Sequence, residues 1–353
     1  MAAEAVSITF RLRDGYRIAG RSYTSAFNVI LKVSTGDGRT GFGCAAPAEE
    51  VTGESDADCR AALDDRLLPL LRECDATLVE EVARRARVAA PRAPAARAAV
   101  EMALLDLRAR RAGAPLARLL GLRRGRLPTS VTLGVAPPDE SLVRARRYVA
   151  DGFRILKVKV GEDWEQDVRL IRSLRSALGP AITIRADANC GYAEADALRF
   201  LRALPPGSIE LLEQPVAPQD LAAMGRIAAA HDVPIMADEP VQDAADAARV
   251  AAGGAAGLVN IKLMKTGGLL EARGVAAVCG RAGLRAMIGC MDESRLGIAA
   301  GLHFALAEPA VDRADLDGHL DLVDDVARGG FRIDRGVIAP RFDQPGLGVE
   351  VDF

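Results

Sequence analysis

Aromatic side chains are scarce, at 4% of 353 residues. With half the residues hydrophobic and Ala and Leu dominant, the core must be aliphatic and rich in helix. Net charge is almost absent too: 46 basic residues oppose 48 acidic ones, leaving −2. Such a balance gives no general attraction to nucleic acid or anionic lipid, so partners must be sought in local sites. Two arginine-rich pieces, Arg108-Ala109-Arg110-Arg111 and Arg123-Arg124-Gly125-Arg126, lack interleaved aromatics and read as solvated helix and linker faces; no nucleic-acid partner is expected. No uncharged stretch approaches the roughly 20 residues that a membrane helix needs, and Met1-Ala2-Ala3-Glu4 lacks the basic-then-apolar pattern of a leader, so a cytoplasmic protein without membrane partners is expected. The cysteines, Cys44, Cys59, Cys74, Cys190, Cys279 and Cys290, include no CxxC pair; buried free thiols are expected in place of a disulfide framework or zinc site. Of the three histidines, His303 falls in an apolar helical run and His231 precedes an expected strand. Neither stands where a histidine base would.

What is present is a change of pattern along the chain. Residues 5–13, 27–34 and 39–45 read as strands, the last two joined across Thr35-Gly36-Asp37-Gly38, whose Asp-Gly pair favours a hairpin. From about 56 to 112 the pattern is helical, with Val100, Leu104 and Leu107 on one face. Beyond the Arg/Gly-rich stretch at 121–126, short apolar runs alternate with helical segments: 129–135, 154–159, 182–187, 209–213, 234–238, 257–262, 285–289 and 311–317. Strands and helices in this order call for right-handed crossovers and a parallel sheet, and eight repeats close into a barrel. The expected organisation is an α+β capping domain at 1–125, a barrel at 126–329, and a segment at 330–353 that returns to the capping domain.

In such a barrel the C-terminal ends of the strands converge on one mouth, so reactive residues should recur with the repeat. Asp187, Glu213, Asp238 and Lys262 each end an expected strand, at intervals of 26, 25 and 24 residues. Three converging carboxylates repel one another unless a cation neutralises them, and an all-oxygen set suits Mg²⁺. Strand alternation puts Lys157 and Lys159 on one face, so lysines bracket the acids. A lysine among cations should have its pKa lowered and serve as a base near pH 7. The chemistry expected is removal of the proton beside a metal-held carboxylate through an enediolate, with the opposite lysine returning a proton.

The segments Lys157-Val158-Lys159, Asp187-Ala188-Asn189, Glu213-Gln214-Pro215, Asp238-Glu239 and the run from Asn260-Ile261-Lys262 to Gly267-Gly268 resemble the enolase superfamily in its muconate-lactonizing subgroup, over almost the whole chain. The nearest likeness within it is to dipeptide epimerases of the L-Ala-D/L-Glu type. The resemblance implies an α/β fold, a modified TIM (β/α)7β barrel with an α+β capping domain. It implies one Mg²⁺ per active site on Asp187, Glu213 and Asp238, and Lys159 and Lys262 as the acid/base pair. Lys157 would bind the carboxylate and lower its neighbour's pKa, and Asp315 and Asp317 would grip the substrate ammonium. Met291, Asp292 and Glu293 fall in the loop after the seventh strand, Thr132 on the first strand, and Arg21, with Tyr16, in a capping loop where it would meet a glutamate side chain. Asp292 and the segment His319-Leu320-Asp321 depart from the familiar epimerases, which carry apolar residues or proline there; acids facing the pocket would favour a polar or cationic side chain, whereas Arg21 favours Glu. The expected partners are a small-molecule substrate, a dipeptide, and further copies of the chain in a homo-oligomer. N-acylamino acid racemisation, muconate-type cycloisomerisation and a non-catalytic ligand-binding role are the alternatives.

Overall fold

The computed structural model describes residues 1–352, with the Tyr16 side chain outside the described set. Three antiparallel strands open the chain: β1 (Ala2–Ile18), β2 (Arg21–Ser34) and β3 (Thr40–Ala45). β1 and β2 are much longer than the sequence pattern suggested, and Arg21 lies at the start of a strand paired with Ile18, not in a loop. Asp14-Gly15 looks like a strand end. In the fold it falls where the register shifts between Arg11 and Tyr16, so the ladder is interrupted and then resumes. The tight connection uses Gly20 at φ 72°, a conformation glycine adopts freely.

Helix α1 (Pro94–Arg111) covers β3. Its face of Ala95, Ala99 and Ala103 is fully buried, and a Cβ added at Gly43 would lie 1.9 Å from the Ala99 carbonyl oxygen. Small residues on both surfaces therefore set the helix-to-sheet distance.

Eight parallel strands follow: β4 (Val131–Leu133), β5 (Ile155–Lys159), β6 (Thr183–Asp187), β7 (Leu211–Glu213), β8 (Ile235–Ala237), β9 (Leu258–Ile261), β10 (Arg285–Ile288) and β11 (Val311–Ala314). They hydrogen-bond in sequence order. A bridge between Thr129 and Ala314 joins the last strand to the start of the first, and Ser130 N donates to Ala314 O at 3.2 Å. Crossover helices begin at side-chain caps: Asp163, Asp220, Asp243 and Ser294 each accept from backbone N–H groups of the first turn. The eighth strand stops at Ala314, which leaves Asp315 and Asp317 on the loop above it.

The period of two along each strand sorts the interior. Leu211, Met236, Leu258 and Met287 form a separate apolar cluster, and two residues further along their strands stand Glu213, Asp238 and Asn260. Arg185 is also buried inside, donating to Glu210 at 2.7 Å and to the Ala314 carbonyl at 3.0 Å. At the C-terminus, Leu347 N donates to Asp106 at 2.7 Å, and Arg110 donates to the Val349 carbonyl at 2.7 Å. These bonds tie the tail to α1. Among the described residues no helix is long and apolar enough to cross a membrane.

Because α1 lies so close to β3, Gly43→Ala forces backbone apart instead of displacing a flexible side chain. Urea denaturation should show a loss of about 3 kcal/mol.

Candidate active site

The mouth of the barrel holds four buried carboxylates among four lysines. Lys157, pointing inward from β5, places its Nζ 2.8 Å from Asp315, 3.0 Å from Asp187 and 3.0 Å from Glu213. Lys159, two residues on, lies 2.7 Å from Asp187 and donates to Asn189 Oδ1 at 2.8 Å. Across the barrel Lys262 reaches Asp238 at 2.8 Å and Lys265 reaches its other oxygen at 2.7 Å. β5 and β9, which end at Lys159 and just before Lys262, are the second and sixth of the eight strands, so the two amines enter one cavity from opposite walls.

Backbone geometry helps to aim the acids. Asn189 and Gln214 adopt positive φ (41° and 35°), which is costly for residues other than glycine. In that conformation Asn189 N donates to Asp187 at 3.0 Å, and Gln214 Oε1 accepts from Asp238 N at 3.0 Å. Asn260 donates to Glu213 Oε1 at 2.7 Å. Glu213 Oε2 and both Asp238 carboxylate oxygens are buried and make no well-directed hydrogen bond; their partners are ammonium charges alone.

The electrostatics differ in sign from the sequence expectation for the lysines. Burial acts to lower the Lys157 ammonium, but Asp187, Asp315, Glu213 and Asp238 together outweigh it and hold the pKa well above the ordinary value. Lys262 is likewise raised, burial being overcome chiefly by Asp238. The expectation of a lowered pKa weighed lysines and a metal, whereas here the carboxylates are the nearest charges. Lys265, in contrast to Lys157 and Lys262, is lowered, by burial. Among the acids, burial raises Glu213, with Asp187 adding to the effect, while Asp238 is held low because Lys262 and Lys265 overcome its burial.

A cavity of about 610 Å³ opens above this cluster, between the barrel and the capping strands. Lys157, Lys159, Lys262, Thr132, Met291, Asp292, Asp315 and Asp317 all line it. Asp317 accepts from Thr132 N at 2.6 Å, and its second oxygen lies 3.9 Å from the Cys290 thiol. Its carboxyl is raised by burial and then by Asp315. Of the expected substrate-binding residues two fall outside, and the expected metal ligands Asp187, Glu213 and Asp238 lie beneath the lining. Glu293 is buried behind the wall, where a Cβ on Gly297 would meet its carboxylate at 2.5 Å, and Arg21 is drawn into an ion pair with Glu50 at 3.1 Å. The Glu293 carboxylate packs against the first turn of the helix Arg295–Ala307. His303 accepts from Ala117 N at 2.9 Å and is buried in that helix, a structural role.

Several contributors escaped the sequence reading. Lys265 stood in the quoted motif without a role, and its spacing from Lys262 by one helical turn was the signal. Asp14, Glu49, Glu50, Asp56 and Arg144 also line the cavity, beside Asp321, which the sequence had marked. They come from separated segments with no shared spacing, so only the folded chain brings them together.

The donor set suits a divalent cation: Asp187, Glu213 and Asp238 supply oxygen only, and two of them carry buried oxygens without hydrogen bonds. As placed here the acids pair with lysines, and among the described residues no group of three or more His, Cys, Asp or Glu side chains is drawn into a common ligand shell.

Residues 3–121 match the mandelate racemase / muconate lactonizing enzyme N-terminal domain, and residues 140–353 match the enolase C-terminal domain-like family. The chain is 44% identical over 341 residues to the L-Lys-D/L-Arg epimerase of Methylococcus capsulatus, covering 96% of each. It is 36% identical over 349 residues to the L-Ala-D/L-Glu epimerase of Bacillus subtilis, covering 98% of this chain and 95% of that one. The crystal structure of a dipeptide epimerase from Methylococcus capsulatus, complexed with Mg and the dipeptide L-Arg-D-Lys, superposes with a TM-score of 0.94 at 43% identity and covers 98% of both chains. With both family models matched along the chain and relatives of 36–44% identity covering nearly all of it, this protein belongs to the mandelate racemase / muconate lactonizing enzyme family of the enolase superfamily.

Proposed function

We propose that the protein is a Mg²⁺-dependent dipeptide epimerase whose substrates carry cationic side chains. The observation that carries the substrate class is the charge of the cavity wall. Outside the lysine cluster and the Asp315–Asp317 pair, six acids line it (Asp14, Glu49, Glu50, Asp56, Asp292 and Asp321), against one cation, Arg144, among the described residues. A lysine or arginine side chain satisfies such a wall, whereas a carboxylate is repelled by it.

Asp187, Glu213 and Asp238 would hold the metal, which when bound supplies positive charge to the substrate carboxylate as negative charge builds on it. Lys159 and Lys262 do the proton work. One, as the neutral amine, takes the α-proton onto Nζ; the other, as the ammonium, delivers a proton from its Nζ to the opposite face of the same carbon. The two lysines exchange protonation states and the configuration inverts. Lys157, clamped by three carboxylates, stays charged and positions the substrate carboxylate. Asp317 offers its Oδ1 to the α-ammonium, while Asp315 is held by Lys157 and by the Ser130 hydroxyl at 2.6 Å. An N-acyl substrate has no ammonium for Asp317, and this favours the dipeptide over the N-acylamino acid.

Incubated with Mg²⁺ in D₂O, the enzyme should place deuterium at the α-carbon of the C-terminal residue of Lys-Arg and Arg-Lys dipeptides. It should use Ala-Glu roughly 10²-fold less well in kcat/KM, the scale of a like-charge penalty of several kcal/mol. Mass spectrometry reads both, and uptake with N-succinyl-lysine but with no dipeptide would overturn the reading.

Lys159→Ala and Lys262→Ala should each lower interconversion by about 10²- to 10⁴-fold. Each should still exchange the α-proton of one epimer, a different one in each variant, as chiral chromatography of deuterated product would show.

Chelation by EDTA should abolish exchange and Mg²⁺ restore it. Glu213→Gln, which removes a ligand charge, should raise the Mg²⁺ concentration needed for half-maximal activity by about tenfold or more.

A further inference from the structure

The helix Leu269–Ala282, which follows β9 and Lys262, begins without a cap of its own. Its N-cap position is Gly268, at φ 130°, and glycine has no side-chain oxygen to offer the first turn. Crossover helices elsewhere in the barrel take that oxygen from their own Asp163, Asp220, Asp243 or Ser294. Here it comes from the other domain. Glu101, in the middle of α1, accepts from Leu270 N at 2.6 Å, and the Leu269 N–H supports the same carboxylate. A carboxylate is also favoured at this positive end of the helix dipole.

Glu101 is buried in a stretch of α1 otherwise made of Ala, Val, Met and Leu, and it has no ion-pair partner among the described residues. Burial pushes its carboxyl up to about 8 in spite of the two backbone donors. A carboxylate there is a costly way to fill a helix core. The approach is close enough to require glycine on the other side. A Cβ on Gly268 would stand 2.6 Å from the Glu101 carboxyl carbon, and one on Gly267, at φ 82°, would stand 2.6 Å from Arg97 Nη2. Glu101 and Arg97 are four residues apart, so one face of the cap helix covers both glycines.

From Gly268 the constraint reaches Lys262 in two steps. Thr266 Oγ1 donates to the Gly268 carbonyl at 2.9 Å, and Thr266 N donates to the Lys262 carbonyl at 3.1 Å. Gly268 N donates to the Leu263 carbonyl at 3.1 Å. These bonds close the short helix Leu263–Thr266, of which Lys262 is the N-cap residue. Lys262 thus has β9 on one side and, on the other, a turn anchored to α1. Lys159 is held differently: it ends β5, pairs in register with Asp187 on β6, and bonds to Asp187 and Asn189, all of them barrel residues.

We propose that Glu101 is a positioning residue for Lys262: by holding the Gly267–Gly268 turn against the cap, it fixes the reach of one proton-transferring lysine and leaves the other untouched. The proposal rests on the two-lysine reading given above. Its consequence is an imbalance between the two faces of the substrate carbon. With Lys262 displaced, Lys159 still removes its proton and returns a solvent-derived one to the same face, whereas delivery to the opposite face is slowed.

The test uses the two C-terminal epimers of Lys-Arg with Mg²⁺ in D₂O, with deuterium uptake read by mass spectrometry and inversion by chiral chromatography. Lys262→Ala first identifies the epimer whose α-proton faces Lys159, because that one alone should go on exchanging. With that epimer, Glu101→Ala should slow inversion by about 10- to 100-fold, the scale of a remote displacement of a reacting group, while uptake stays within about threefold of wild type. The ratio of uptake to inversion therefore rises. With the other epimer, whose proton Lys262 must take, uptake and inversion should both fall and the ratio should not rise. Glu101→Gln keeps an acceptor for Leu270 N and should restore most of the inversion. Glu101→Asp, one methylene shorter, withdraws the carboxylate and should show the Glu101→Ala pattern in weaker form; it carries the test where Glu101→Ala does not accumulate as folded protein. Loss of folded enzyme lowers uptake and inversion alike and does not move their ratio. A ratio that keeps its wild-type value in Glu101→Ala and Glu101→Asp, or that rises for both epimers, overturns the proposal. If Lys262→Ala exchanges both epimers or neither, the two-lysine reading itself fails, and the Glu101 variants are not needed to see it.

Discussion

The rest of this structure depends on the mutual neutralisation of carboxylates and ammonium groups in the barrel mouth. Asp187, Glu213, Asp238 and Asp315 are all buried, and so are Lys157, Lys262 and Lys265. Any one of these charges alone in that setting would cost several kcal/mol. Together they are tolerable, because each acid has an ammonium within 3.0 Å. Such an arrangement is not an efficient source of stability, since well-packed apolar residues would serve as well or better. Its yield is a set of charges already in place and already dehydrated before a substrate arrives, which is what proton transfer at an unactivated carbon demands.

Holding that set together takes two layers of structure. The barrel fixes the vertical order: the strand period lifts each acid above an apolar or arginine layer, and the parallel register aligns Lys159 with Asp187 and Asp187 with Glu213. The capping strands fix the lateral boundary. Asn28 on β2 donates to the Asp292 carbonyl at 2.9 Å and accepts from Ser294 N at 2.8 Å, so the loop after β10 is tied to the cap. Gln242 donates to the Val51 carbonyl at 2.8 Å and ties the cap to a second barrel loop. Through these bonds the cavity wall contributed by the cap is held in register with the lysines of the barrel mouth.

What the sequence revealed follows from this division. Asp187, Glu213, Asp238 and Lys262 were legible because each ends a repeat of nearly constant length, and a barrel converts that constancy into convergence. Lys157 and Lys159 were legible from strand alternation. Even the eighth strand, short as it is, was signalled by its apolar start at Val311. The long β1–β2 hairpin was not, because Asp14-Gly15 has the composition of a turn and acts as an irregularity in a continuing ladder. Glu293 was misplaced for a related reason: neighbours in a loop point in different directions, and sequence adjacency to Asp292 says nothing of which one turns inward. Arg21 was read as a free cation because its partner, Glu50, lies 29 residues away with no pattern to link them.

The lysine pKa values carry the same lesson into chemistry. Counting cations along the sequence suggested amines made basic by mutual repulsion, whereas the fold surrounds them with acids and raises Lys157 and Lys262. A divalent ion held by those carboxylates would add charge opposed to theirs, and that charge is what the sequence expectation counted. The cavity has a floor of lysines and a rim of acids at Glu49, Glu50, Asp56, Asp14 and Asp321. A molecule with a carboxylate at one end and cationic arms at the other is oriented by that field before any contact is made.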